Sequence, residues 1–252
     1  MTTALQNFCL TRHRCRPSRP KVGYKAARMS QQVATGPSTF TQRIKDPFSG
    51  LSHAAGFVAA ALGSVLLARL PRHDSGMTAT LIIYALTLMM LYAASATYHL
   101  VRASERLAPW LRRMDHCAIF LFIAGSCTPL FYQAFDGTRR TLMLLLIWLI
   151  AVLGVAGRVL WLSAPRWLYT AMYVAMGWAV LIQGSAFVRG LEATVFSLVV
   201  AGGITYTVGA VIYALKRPNF FGGRVGFHEI WHLFVIAGSA FHYAAVYLVA
   251  QG

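Results

Sequence analysis

The chain has 252 residues, of which 57% are hydrophobic and only 12% charged. A soluble domain carries about a quarter charged residues, so a water-soluble globule is excluded and a membrane-embedded chain is expected. The net charge of +16 would suit a nucleic-acid partner. Its distribution excludes that reading, because the basic residues lie in one tail and beside the ends of long apolar runs, as orientation signals do.

The tail comes first. Residues 1–46 hold Arg12, Arg14, Arg16, Arg19, Lys21, Lys25, Arg28, Arg43 and Lys45 against a single acid, Asp46. The absence of an apolar core excludes a secretory signal peptide. A disordered cytoplasmic flank, or a translation artefact with Met29 as the true start, is preferred over a transit peptide, which shares this composition. Cys9 and Cys15 in the tail, and Cys117 and Cys127 further on, lack the spacing of a disulfide framework or of a CxxC zinc site. All four are expected as free thiols.

A span needs roughly 20 apolar residues. Seven runs qualify: 50–70, 78–99, 115–135, 141–162, 167–188, 193–215 and 228–250. Period-2 alternation is absent, which argues against a β-barrel. The expected fold is an all-α, polytopic bundle of seven transmembrane helices over residues 47–252. Of the 23 Lys and Arg, five fall on one side of this bundle: Arg69, Arg72, Arg139, Arg140 and Arg189. The rest fall on the other. Basic flanks stay in the cytoplasm, so the N-terminus is expected inside, opposite to G-protein-coupled receptors. The expected location is a bacterial inner membrane, crossed several times.

Polar groups inside a span are costly and mark function. In the expected topology His99 closes the second run at the cytoplasmic end, Asp115 opens the third there, and His228 and His232 open the seventh. His228 and His232 are one helical turn apart and share a face. With His99 from a facing helix they make a three-histidine zinc site that keeps an open position. Ser95 lies one turn before His99, placed to hydrogen-bond a ligand, water or substrate oxygen. Asp115 is placed to hold and deprotonate a zinc-bound water. Isolated interfacial histidines would be ordinary structural residues; four such groups at one depth favour the metal.

His228-Glu229-Ile230-Trp231-His232 also matches H-E-x-x-H, in which the Glu is a general base. That reading is weaker, since no later Asp-Gly stretch supplies a third ligand, and Glu229 equally suits the positive end of a helix. His53 is at the right depth for a supporting role. His242 is about 15 Å further along the helix than His232 at ~1.5 Å per residue, too far for the same ion, and either is packed or lines a cavity. His116 points about 100° away from Asp115, while His13 and His73 are expected in solvent. Trp110, Trp161, Trp167 and Trp231 suit an interfacial belt. Gly154, Gly157, Gly202, Gly203 and Gly209 suit close helix packing. Thr128-Pro129 suggests a kink, and Pro218 with Gly222-Gly223 breaks the loop 216–227.

Ser95-Ala96-Thr97-Tyr98-His99, Asp115-His116, Ala124 to Pro129, Phe227 to His232 and Gly238 to His242 occur together in this order. In them the chain resembles the hemolysin III family, within the progestin and adipoQ receptor superfamily, over residues 46–250. Asp46, Ser49, Ser52 and His53 stand in the family's first-span pattern, with Ser49 where the family has Asn. The resemblance implies seven helices, an inside N-terminus, and a zinc ion on His99, His228 and His232, with Asp115 and Ser95 handling its water. Related membrane enzymes hydrolyse lipid amides, whereas the family name comes from haemolytic activity.

Three functions stay open. The first is a zinc-dependent hydrolase of a membrane lipid amide, with Asp115 as the base and Ser95 assisting at the carbonyl oxygen. The second is a pore-forming cytolysin or channel with a structural zinc. The third is a receptor-like protein with a zinc-sealed lipid cavity.

Overall fold

The computed structural model describes residues 44–70, 74–218 and 226–252. The basic tail with Cys9, Cys15 and His13, the turn residue His73, and most of the loop 216–227 lie outside the described residues. Among the described residues every regular element is helical. The long helices are α1 (Pro47–Ala68), α2 (Ser75–Leu100), α3 (Ala108–Ala134), α4 (Gly137–Leu160), α7 (Ala193–Leu215) and α8 (Phe227–Val249). These six are long and apolar enough to cross a membrane.

The stretch expected as the fifth span, 167–188, is not one helix. It is α5 (Arg166–Trp178), a 3₁₀ turn (Ala179–Gln183) and the short α6 (Ser185–Arg189) in series. The break falls at Gly184, whose φ of 47° and ψ of −126° suit a residue without Cβ. A hydropathy run cannot reveal this, because Gly184 and Gln183 barely lower its average. Broken backbone at membrane depth is tolerated where it is buried in protein or lines a cavity, and Val180 and Leu181 of the turn line one. The third helix begins seven residues before the expected run. Pro109 is set in its first turn, where its missing N–H costs nothing, and the segment Trp110 to Met114 is helical though not uniformly apolar.

Helix starts are set by carboxylates. Asp46 accepts from Ser49 N–H at the head of α1 (3.4 Å). Asp74 accepts from Gly76 and Met77 N–H at the head of α2 (2.8 and 3.0 Å). Glu229 accepts from Gly226 N–H at the head of α8 (2.8 Å). These bonds satisfy donors that a helix leaves unpaired.

The central helix is α3, which packs on α2, α4, α5, α6 and α8. Around it α1 joins α2 to α8, and α7 joins α8 to α5. Gly56 and Gly63 of α1 lie against the Tyr92 and Tyr243 rings, so α1 seats closely between α2 and α8. Gly154, Gly202, Gly203 and Gly209 meet neighbouring side chains as expected, but Gly157 faces open space. The outer surface is apolar: Leu62, Leu160 and Ile182 are 64%, 85% and 81% exposed. In water such a surface would drive aggregation; in lipid tails it is at home. Trp110, Trp161 and Trp167 are exposed, whereas Trp231 turns inward and packs on Tyr213, correcting its expected belt position. Cys117 and Cys127 are free, buried thiols.

Candidate metal centre

The end of α2 and the start of α1 are fastened together. Asp46 N–H donates to His99 C=O (2.9 Å), Lys45 Nζ donates to Tyr98 C=O (3.3 Å), and Arg102 donates to Ile44 C=O (3.3 Å). This sets the Asp46 carboxylate beside the His99 ring, with Oδ2 3.0 Å from Nδ1. Helix α8 enters against the same corner and presents His228 and His232 one turn apart, as the sequence spacing requires.

The three imidazoles form a triangle. Ring centroids are 5.0 Å apart for His99–His228, 4.7 Å for His99–His232 and 4.7 Å for His228–His232. One ligand nitrogen from each lies within 4.8 Å of the others. Nitrogens bound to one tetrahedral ion at about 2.0–2.1 Å stand about 3.4 Å apart, within that limit. His99 and His232 are buried and His228 is half-buried. The group can therefore hold a metal ion.

The outer nitrogens support that reading. A ligating His normally gives its second ring nitrogen to a carboxylate or another acceptor, which fixes the tautomer and orientation. His99 Nδ1 meets Asp46. His232 Nδ1 lies 2.9 Å from His53 Nε2, so His53 takes the supporting place its depth suggested. His228 Nδ1 lies 3.8 Å from Asp46 Oδ2. Asp46 sits just outside α1; burial raises its pKa, but hydrogen bonds from His99 and Ser49 outweigh this and leave it lowered. Asp46, His228 and Glu229 form a second close group. It is the poorer cage, because Asp46 is already engaged with His99 and Glu229 with Gly226. That capping bond also accounts for Glu229 without a catalytic role.

Ser95, Asp115, His228 and His232 line one cavity of about 190 Å³. The Asp115 side chain is only 14% exposed, and it shares the lining of this cavity with Ser95. His116 is closer to Asp115 than helical angles suggest: its Nδ1 is 3.5 Å from Asp115 Oδ2 and 2.7 Å from Arg112 C=O. Side-chain rotation moves an imidazole further than a Cβ direction conveys. The same cavity is lined by Arg112 of α3, one turn before Asp115, and by Arg166, Tyr169 and Thr170 of α5. Sequence reasoning used both arginines only as orientation charges. A signal was present in Arg166, a cation at a helix N-terminus where the macrodipole disfavours it.

Deeper in the bundle lies a second cavity of about 100 Å³, walled by residues such as Phe122, Cys127, Trp178, Val199 and His242. The two cavities share Leu91, Ile119, Tyr173, Trp231 and Val235. Pro129 continues α3 and is buried, and Ser126 and Cys127 just before it line the apolar cavity. His242 also lines it, with both ring nitrogens unpartnered, so of its two expected places it takes the cavity wall and not a hydrogen-bonded packing site.

Fold and site together define a multi-pass helical membrane protein carrying a three-histidine group able to hold a metal ion, beside a polar cavity. A family model described as "Haemolysin-III related" matches residues 41–243. The chain is 32% identical to "Hemolysin-3 homolog" of Bacillus subtilis (strain 168) over 63% of this chain and 71% of that protein. It is 30% identical to the human "Monocyte to macrophage differentiation factor" over 78% and 80%. It is 31% identical to "Heptahelical transmembrane protein ADIPOR2" of Oryza sativa subsp. japonica over 63% and 76%. The chain belongs to the hemolysin III family, within the progestin and adipoQ receptor superfamily.

Proposed function

We propose that this protein is a zinc-dependent hydrolase of a membrane lipid amide, crossing a bacterial cell membrane seven times with its N-terminus inside. The observation that carries the reading is a pair of adjoining cavities. A polar chamber lined by His228 and His232 of the histidine triangle, the Asp115 carboxylate and the Ser95 hydroxyl shares five lining residues with an apolar chamber. A lipid fits such a site with its polar linkage in the first and a chain in the second. Leu181 lines the apolar chamber and is also 43% exposed on the outer surface, so entry from the bilayer is short.

His99, His228 and His232 would hold the zinc, and three imidazoles suit a reactive site that leaves a position open. Zinc there supplies Lewis acidity and a nucleophile at neutral pH. Asp115 takes the proton of the attacking water and returns it to the departing amine nitrogen. The water oxygen joins the carbonyl carbon as the C–N bond breaks, giving a carboxylic acid and an amine, which end as carboxylate and ammonium once the acid proton passes to the amine. The Ser95 hydroxyl donates to the carbonyl oxygen, and the apolar chamber excludes bulk water.

The seventh crossing is α5, the 3₁₀ turn and α6 in series, a reading supported by the name of the rice relative. The excess of Lys and Arg on the side of the N-terminus supports the orientation.

The test is turnover of a fluorescent N-acyl lipid amide by purified, zinc-loaded protein. Wild type is expected to release the fatty acid, with Asp115→Ala and His228→Ala lowering the rate by at least a hundredfold. Full activity in both variants would remove the hydrolase. Dye leakage from protein-loaded liposomes, independent of Asp115, would favour the cytolysin reading that the names of the Bacillus relatives suggest.

A further inference from the structure

The α5 side of the polar cavity holds hydrogen-bond donors with nothing to donate to. Thr170 of α5 is only 5% exposed, and its Oγ1 is buried without a partner. Arg166, one turn earlier, leaves Nη1 buried and unpartnered. Its guanidinium lies 4.7 Å from the Tyr213 ring and 5.3 Å from the Phe227 ring. Stacking of this kind fixes the plane and turns the N–H edge outward. Both residues line the cavity, and Arg112 joins them from α3.

Two further features make the wall positive. Helix α5 begins at Arg166 with no side-chain cap, so the first-turn N–H groups and the positive end of the helix dipole lie here. Arg158 is buried behind Tyr169, its guanidinium 4.2 Å from that ring and its Nε and Nη2 unpartnered. Among the described residues Asp115 is the one carboxylate lining this cavity, against the two arginines Arg112 and Arg166. An arginine at an uncapped helix start is unfavourable unless an anion lies between the two.

We propose that Arg166, Thr170 and Arg112, at the start of α5, form an oxyanion subsite that takes a phosphate group, and that the ligand of the polar cavity carries one. Several oxygens on one tetrahedral centre can accept from guanidinium, hydroxyl and backbone N–H together. The inference rests on the lipid reading above and assigns the head-group class: an amphiphile with a phosphate near its amide. The same chemistry would take a soluble phosphate, so the experiment must separate the two sources.

The full-length, zinc-loaded protein in a neutral detergent is titrated with octyl phosphate, inorganic phosphate and octanol, following Tm. Octyl phosphate is expected to raise Tm saturably, while octanol does not. Arg166→Gln and Thr170→Val should each weaken the apparent affinity at least tenfold, with Arg166→Lys in between and zinc content unchanged in all three. Inorganic phosphate matching octyl phosphate assigns a soluble source; inorganic phosphate without effect assigns a lipid. Both results support the subsite. Equal octyl phosphate affinity in wild type and in the two disruptive variants, or an equal response to octanol, overturns it. His228→Ala should lose zinc and keep the octyl phosphate response, so failure of the hydrolase reading is separable from failure of this one.

Discussion

Asp46 Oδ2 lies 3.0 Å from His99 Nδ1, while Oδ1 of the same carboxylate accepts the Ser49 N–H that opens α1. One side chain therefore caps a helix and orients a candidate metal ligand. Loss of such a supporting carboxylate typically costs 10–100-fold in metal affinity. Asp46→Ala is expected to weaken zinc binding by that factor and, in the metal-free protein, to cost about 1 kcal/mol from the lost cap. Asp46→Asn keeps one acceptor oxygen where two now serve, so it retains only one of the two bonds and should fall between wild type and Asp46→Ala. Chelator competition gives the affinity, and Tm after chelation isolates the cap.

His53 supports His232 as Asp46 supports His99. The His53 Nε2 is 2.9 Å from His232 Nδ1, and its own Nδ1 has no partner. The bond needs a donor from one ring and an acceptor from the other. His53→Phe should keep the packing on Tyr92 and lose the bond, with about a 10–100-fold fall in zinc affinity. A fall confined to thermal stability, with affinity unchanged, would make His53 a packing residue only.

Much of this arrangement was legible in the chain. His99, His228 and His232 could be brought together because span alternation fixes depth and i, i+4 spacing fixes a face, two constraints that leave little freedom. The rest of the polar cavity's lining was not legible. Arg112 obeys the positive-inside rule whether or not it binds anything, so its charge carried no separate signal, and Arg166 stood out only by its place at a helix start. Thr170 is an ordinary residue in an apolar run, and only tertiary packing shows its hydroxyl stranded. The broken fifth segment was hidden for a similar reason: hydropathy reports transfer into lipid, whereas the 3₁₀ turn is a backbone event at Gly184.

The far end of the bundle should respond to acid. Asp74 caps α2, and the Tyr132 hydroxyl donates to its Oδ1 at 2.7 Å. That bond first, then the Met77 N–H, holds the carboxyl below its ordinary value of 3.8. A carboxyl lowered by folding binds fewer protons folded than unfolded, so its stabilisation is present above the unfolded value and is lost as pH falls through the folded one. Tm of wild type should fall below about pH 4, and Tyr132→Phe should flatten that limb while changing little at neutral pH. Parallel profiles for the two proteins would show the bond is not coupled to stability.

Gly184 should be the least replaceable glycine of the broken segment. Its φ of 47° and ψ of −126° put any Cβ under strain, and such conformations cost about 1–3 kcal/mol. Gly184→Ala is expected to lower Tm accordingly. Gly177, within α5 and with open space at its Cβ position, is the matched control. Gly177→Ala should be neutral or slightly stabilising, since alanine is the better helix former by up to about 1 kcal/mol. An equal loss in both would mean that general packing, not the turn, is sensitive.

Removal of the metal should loosen one corner of the bundle. The three ligands come from α2 and α8, and Asp46 and His53 bring in α1; α4 and α7 contribute none of these residues. A ligand that binds only the folded state adds about 2.7 kcal/mol at a hundred times its Kd. Chelation is therefore expected to lower Tm, with the effect abolished in the His99/His228/His232 triple alanine variant. Hydrogen exchange localises the change. Amides at the end of α2 and the starts of α1 and α8 should lose protection, because the ion ties those ends to each other. The middle of α4, packed against α3 through Gly154 and Phe120, should exchange as before. Uniform deprotection along all helices would instead mean that the ion is needed for the whole fold, and protection unchanged everywhere would mean that the histidine triangle holds no ion.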